Sequence, residues 1–237
     1  MEISRRGFLQ SVGAAGVSAT STLIAPAHGA TPKLNKGPKG ALDAQLQAYT
    51  FFLPDEAAFV EAAVDVFIPH DDIGPGGVES GIVYFIDQQL AGAFGTGFGL
   101  NYTGPFRSGT PSQGFQLPLT PAEIYRIGIR EMNAWCHSNF QGQTFAQLHA
   151  VVRDRLLRQM QLRALELPTV PPHILLGMVY SNTMEGYFSD PAYGGNRNKG
   201  AWRMLGYPGV ARIYTADIRT YQRKRQVLPP QSIADFR

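Results

Sequence analysis

Few residues of this sequence stand at spacings that would let them share a reaction. His70, Asp71 and Asp72 are contiguous nitrogen and oxygen donors that could contribute to a metal site. Adjacent residues rarely converge on one ion without further ligands at helical or loop spacing, and Gly74-Pro75-Gly76-Gly77 follows, so the segment reads as a polar turn. Gly95, Gly97 and Gly99 alternate, yet position 100 is leucine and no strand precedes them, so they make no dinucleotide fingerprint. Gly-x-Ser-x-Gly, the phosphate loop and His-Glu-x-x-His are absent, which removes the main support for hydrolase, nucleotide-binding and zinc-protease chemistry. Glu131 and His137 stand six apart and His149 lies a helix further on; each histidine reads as structural or surface-lying rather than as a general base. Cys136 is the one cysteine, so this chain alone forms neither an intrachain disulfide nor a cysteine-ligated zinc or iron–sulfur site. Its neighbours Trp135 and Phe140 point to a buried thiol. No catalytic, metal-ligating or cofactor-binding residue is assigned.

The most unusual segment has the composition of a recognition surface instead. It runs from Tyr187 through Asp190, Pro191, Tyr193, Gly194, Gly195 and Asn196 to Trp202, Gly206, Pro208 and Gly209. Paired glycines permit backbone angles denied to other residues and allow close approach of a second chain, while aromatic residues beside them supply rigid contact area. Asp190, Asn196 and Asn198 can tie the loop internally. The residues are equally consistent with a partner contact and with a loop packed onto its own core.

The elements that must position this segment are helical. Pro54, Asp55 and Glu56 suit a first helical turn, and Phe59, Ala62, Ala63, Val66 and Phe67 recur at helical spacing before Pro69. A second helix is expected from Val78, with Ile82, Val83, Phe85, Ile86 and Leu90 as its apolar face. Residues 91–119, rich in Gly, Pro, Ser and Thr, read as a long ordered loop held by Phe94, Phe98, Tyr102, Phe106 and Phe115. Thr120, Pro121 and Glu123 form an N-cap, first-turn proline and acidic third position for a helix to about Phe140. Thr144 is expected to cap a helix from Phe145 to Leu165 with Leu148, Val151, Val152, Leu156, Met160 and Leu165 inward. A last helix is expected from about His173 to Phe188. The fold class is therefore all-α: an irregular single domain over residues 51–237, of about five helices with long ordered loops.

With 237 residues, 44% hydrophobic and 16% charged, the chain can bury one core. Its net charge of +3 is too small an excess to indicate a nucleic-acid partner, and the basic cluster Arg219, Arg223, Lys224 and Arg225 suits a solvated end or a protein contact. Ser4, Arg5, Arg6, Phe8 and Leu9 match the twin-arginine export consensus, which implies the twin-arginine translocase as a partner. A weakly apolar stretch follows, diluted by Ser and Thr and shorter than the ~20 residues of a membrane span. Ala25 and Ala27 supply small residues for cleavage after position 27. Residues 1–27 are thus expected to be a signal peptide and 28–50 an extended segment.

The chain resembles the gluconate 2-dehydrogenase subunit 3 family. The resemblance rests on Phe52-Leu53, Phe67-Ile68-Pro69, Gly74-Pro75-Gly76-Gly77 and Tyr84-Phe85-Ile86-Asp87. It rests most specifically on Glu185-Gly186-Tyr187-Phe188-Ser189-Asp190-Pro191, Tyr193-Gly194-Gly195-Asn196 and Trp202 with Gly206-Tyr207-Pro208-Gly209. It implies a non-catalytic small or gamma subunit of a periplasmic, membrane-associated dehydrogenase complex that oxidises a sugar, polyol or sugar acid. A large subunit would carry FAD, a c-type cytochrome subunit would carry haem c, and this chain would carry neither. It further implies that the flavoprotein crosses the membrane attached to this chain, reaching the inner membrane through its partners. A stand-alone periplasmic binding or scaffold protein is the alternative reading.

Purified from His28 onward, the chain is expected to be strongly helical by far-ultraviolet circular dichroism and colourless. A stoichiometric flavin or haem spectrum in protein made without partners would overturn this.

Overall fold

The structure, a computed structural model, describes residues 48–99, 104–107, 109–110, 113–210, 215–224 and 228–236. The expected signal peptide, with Ser4, Arg5, Arg6, Phe8, Leu9, Ala25 and Ala27, lies outside the described residues, as does most of the segment 28–50. Seven α-helices and no strands occur among the described residues. They are α1 (Pro54–Phe67), α2 (Ile82–Ala91), α3 (Pro121–Asn139), α4 (Ala150–Gln161), α5 (Pro172–Phe188), α6 (Gly200–Leu205) and α7 (Thr215–Thr220).

The helix starts follow from local chemistry. Leu53 has no side-chain acceptor, so the start of α1 relies on Pro54 in its first turn and on Glu56, whose carboxylate accepts from the Leu53 amide at 2.9 Å. At α3 the expected reciprocal cap is complete: Thr120 N–H donates to Glu123 at 2.8 Å and Glu123 N–H donates to the Thr120 hydroxyl.

Two expected helices begin later than their patterns suggest. Residues 77–81 form turns that end in Gly81 at φ +78°, a left-handed angle that an L side chain rarely adopts, so α2 starts at Ile82 and leaves Val78 exposed. The single helix expected over 145–165 is divided. Phe145 to Gln147 make one 3-10 turn, Leu148 is extended, and His149 caps α4 by accepting from Val151 N–H. The break lets both Phe145 and Leu148 enter the core, Phe145 against Phe59 with ring centroids 4.6 Å apart. It also turns Val151 to solvent, against the expected inward position, while Leu156, Met160 and Leu165 are buried as expected. Helices α6 and α7 lie beyond the five expected.

Helix α5 is the centre. It packs against α1, α2, α3, α4 and α6, and buries Leu175, Val179, Asn182, Thr183, Gly186 and Tyr187. Gly177, Ser181, Glu185 and Phe188 alone recur on its exposed side, at spacings of three to four residues. Tyr125 of α3 is fully buried against it and accepts a hydrogen bond from Asn182 at 3.1 Å. Of the 91–119 loop, Phe94 and Phe115 pack onto the core as expected, but Phe98 is 83% exposed. Cys136 is fully buried, and desolvation pushes its thiol pKa up to about 12, so it stays protonated and unreactive at neutral pH.

One buried charge fixes how the chain enters the domain. Asp87 of α2 is fully buried, and its carboxylate accepts from the backbone N–H groups of Thr50, Phe51 and Phe52 at 2.8, 2.9 and 2.8 Å. Arg126 of α3 holds the same segment from the other side, bonding Glu56 and the Phe51 carbonyl, with its guanidinium 4.1 Å from the Phe51 ring centroid. Asp87→Ala is expected to orphan three amides and cost about 3 kcal/mol in denaturant unfolding, while Asp87→Asn, which keeps an acceptor, costs less. Equal stability of wild type and the alanine variant would refute this account.

Candidate functional site

The segment that follows α5 returns across the end of that helix and is fastened from beneath. Ser189 is extended, and Asp190 then caps the 3-10 turn Pro191–Tyr193 by accepting from Ala192 N–H at 2.9 Å. Gly194, at φ +96°, reverses the chain. Gly195 crosses so close to α5 that a Cβ there would lie 2.2 Å from the Gly186 carbonyl oxygen, while a Cβ on Gly186 would lie 2.7 Å from Phe85. Asn196, fully buried, bonds the Ser189 carbonyl and accepts from Ala201 N–H, both at 3.0 Å. The segment is thereby stitched to α5 and to the start of α6.

Trp202 completes the attachment. It is 5% exposed, donates from its indole nitrogen to the Phe188 carbonyl at 2.9 Å, and meets Tyr207 edge to face. Gly206 (φ +67°) closes α6. Gly209 then pairs with Gln231, whose carbonyl would lie 2.0 Å from a Cβ on that glycine, and Pro208 accepts from Gln231 N–H. The 228–236 strip reaches back to Asp190 through Ser232 Oγ at 2.6 Å and Ile233 N–H at 2.9 Å. Burial alone would raise the Asp190 pKa, but the donors Ser232, Ile233 and Ala192 outweigh it and hold the carboxyl below its usual range.

The ten expected contact residues therefore divide. Asp190, Gly195, Asn196, Trp202 and Gly209 are buried within the chain and serve its own fold, whereas Tyr193 (58% exposed) and Gly206 reach the surface, with Pro191, Gly194 and Pro208 between. Phe188 shares a groove with Tyr193, and Leu205 and Tyr207, further along the segment, are exposed as well. Ser181 and Glu185, four residues apart, lie on the side of α5 that faces outward.

A shallow groove of about 410 Å³ lies at this edge, lined by Phe85, Gln89, Glu185, Phe188, Ser189 and Tyr193. Glu185 is exposed as a whole residue yet desolvated at its carboxyl, which raises its pKa. The lining gathers aromatic surface around one acid, so it suits an apolar or aromatic group and assembles no acid–base pair. Elsewhere, Asp71 of the His70-Asp71-Asp72 run accepts from Ile73 and Gly74 N–H, the turn expected there.

The blocks quoted for the resemblance meet around the C-terminal half of α5. Tyr187 donates to the Pro75 carbonyl at 2.9 Å, a Cβ on Gly77 would lie 2.5 Å from Val64, and Gly186 and Gly195 touch as described. A family profile, Gluconate 2-dehydrogenase subunit 3, matches residues 54–209, from the first residue of α1 to the glycine that pairs with Gln231. The chain belongs to the gluconate 2-dehydrogenase subunit 3 family. The matched span takes in helices α1 to α6 and the whole fastened segment. A subunit family implies partner subunits. No curated protein and no solved structure matched the chain. Among the described residues, no helix is long and apolar enough to cross a membrane.

The two classes of residue in this segment should separate in the isolated chain. Trp202→Ala is expected to cost about 3–5 kcal/mol, and Gly195→Ala to lower the melting temperature because its Cβ meets a backbone oxygen. Tyr193→Ala should stay within ~0.5 kcal/mol of wild type. Thermal and denaturant unfolding of the three variants decides it, and a wild-type-like Trp202→Ala would contradict the packing described.

Proposed function

We propose that this chain is the non-catalytic small subunit of a periplasmic dehydrogenase complex. In this reading an FAD-bearing large subunit oxidises a sugar, polyol or sugar acid and passes electrons to a c-type cytochrome subunit. The family match over residues 54–209 carries the proposal. The edge of α5 supports it: a segment fixed from below leaves Tyr193 exposed next to Phe188, with Leu205 and Tyr207 exposed further along. Rigid aromatic anchors of that kind give large contact area at low entropic cost. Tyr193 and its neighbours form the proposed contact with the flavoprotein, while Trp202, Asn196 and Asp190 hold that contact in shape rather than enter it.

The chain also serves export in this proposal. Arg5 and Arg6 form the twin-arginine signal, and the folded flavoprotein travels bound to the chain that carries it. Attachment to the inner membrane is then supplied by the partner subunits.

Recovery of the tagged chain from its native cells is expected to bring down a flavoprotein, detected by flavin fluorescence and mass spectrometry. Tyr193→Ala should cut that recovery about tenfold or more without lowering the melting temperature. Arg5→Lys with Arg6→Lys should strand both proteins in the cytoplasmic fraction. Chain recovered without any flavoprotein would overturn the subunit role; export of flavoprotein by the double variant would overturn the shared signal alone.

A further inference from the structure

We propose that the groove at Glu185 seats an arginine side chain of the flavoprotein, a source that rests on the accessory-subunit reading. Its lining of Phe85, Gln89, Glu185, Phe188, Ser189 and Tyr193 sets a carboxylate among aromatic rings. That carboxylate has no ion pair and no hydrogen bond among the described residues. Glu56, Asp154 and Asp235, by contrast, each meet a cation of the same chain. Burial raises the Glu185 pKa, and no neighbouring cation offsets it. A carboxylate partly withdrawn from water without a countercharge is unfavourable, and a cation brought by a partner relieves that cost.

The other polar groups of the lining also call for a donor. Ser189 Oγ–H is spent on the Gly186 carbonyl at 3.0 Å, which leaves its oxygen as an acceptor. The Gln89 side chain makes no hydrogen bond among the described residues, so its amide oxygen is open as well. A guanidinium carries five N–H donors in one plane and stacks on aromatic faces. Phe188 and Tyr193, 42% and 58% exposed, offer such faces, while Phe85 is buried beneath. The ammonium of lysine is compact and more strongly hydrated, so it gains less from flat rings. The three-carbon stem of arginine covers the apolar part of the groove, and its head answers the acid.

The receiving surface is set before a partner arrives. Phe85 Cδ1 lies 2.7 Å from where a Cβ on Gly186 would stand, and the Phe188 ring meets that of Tyr187 at 5.1 Å. Asp190 caps the turn that bears Tyr193. Docking therefore has little to order on this side, which favours affinity.

The test titrates the purified chain with N-acetyl-arginine amide and follows the ring signals of Phe188 and Tyr193 by NMR. The lysine amide and the uncharged isostere citrulline amide are the controls. Saturable shifts are expected with arginine, with binding about tenfold weaker for lysine and weaker still for citrulline. Glu185→Gln should weaken arginine binding about tenfold at an unchanged melting temperature. In parallel, Glu185→Arg should cut recovery of the flavoprotein about tenfold or more. A photocrosslinker at position 89 then identifies the partner peptide in the groove. An arginine in that peptide whose change to glutamate restores recovery with Glu185→Arg establishes the pair. Absent shifts, shifts as large with citrulline, or unchanged binding in Glu185→Gln overturn the site. Arginine binding with undiminished recovery in Glu185→Arg overturns the flavoprotein as the source. So does a concentration-dependent dimer that Glu185→Gln abolishes in sedimentation, which would put a second copy in the groove. If no flavoprotein accompanies the wild-type chain, the accessory-subunit reading fails and the titration alone judges the groove.

Discussion

Helix α5 leaves solvent only a narrow stripe, and the placement of every larger element follows from covering the rest. A helix with buried or half-buried residues on all but one stripe cannot be satisfied by a single partner, and α1, α2, α3 and α4 all pack against it. Its polar residues are tolerated because each has a bond: Asn182 to Tyr125, and Thr183 to the carbonyl of Val179 one turn back. At its far end the coverage changes in kind. Gly186 has no side chain to pack because the Phe85 ring fills that space, and the backbone at Gly195 lies against the Gly186 carbonyl. The segment after α5 is thus the continuation of the core by other means, and its rigidity follows from the same packing that stabilises the helix.

That arrangement explains why residues that look like surface anchors by type are divided by burial. Trp202 has the larger ring but the inner position, because its indole nitrogen finds the last carbonyl of α5. Tyr193 has no such partner among the described hydrogen bonds and stands on the turn that Asp190 caps, so it is left outside. Burial of one aromatic residue fixes the geometry in which the other is displayed. The exposed surface at Tyr193 is therefore only as well defined as the internal bonds of Asp190, Asn196 and Trp202 make it.

The all-α class, the boundaries of α1 and α3 and most of the core were legible because capping residues and a 3.6-residue apolar period act locally. The family was legible from the short Gly and aromatic blocks. What escaped was set by contacts between distant parts of the chain. The break before α4 arises because Phe145 must reach Phe59, and the late start of α2 arises from turns that fit Gly77 against Val64. Nothing around Asp87 announces that it will collect the amides of Thr50, Phe51 and Phe52, more than thirty residues earlier. In the candidate site the residue types were equally consistent with a partner contact and with internal packing, and could not say which residues faced outward, since burial there depends on the 228–236 strip.

The bond between Asp190 and Ser232 spans 42 residues of chain, and this sets an order of events during synthesis. As the chain emerges, α1 to α5 have all their mutual partners before Ser232 exists, so the bundle can close first. The Asp190 carboxylate must meanwhile remain hydrated, since it has only Ala192 N–H of its three donors. A protein that recognises the finished shape of this turn would consequently meet it only after the later strip has been made and has folded back. Timing on the ribosome, and not affinity alone, would then keep half-made copies out of any assembly built on this face.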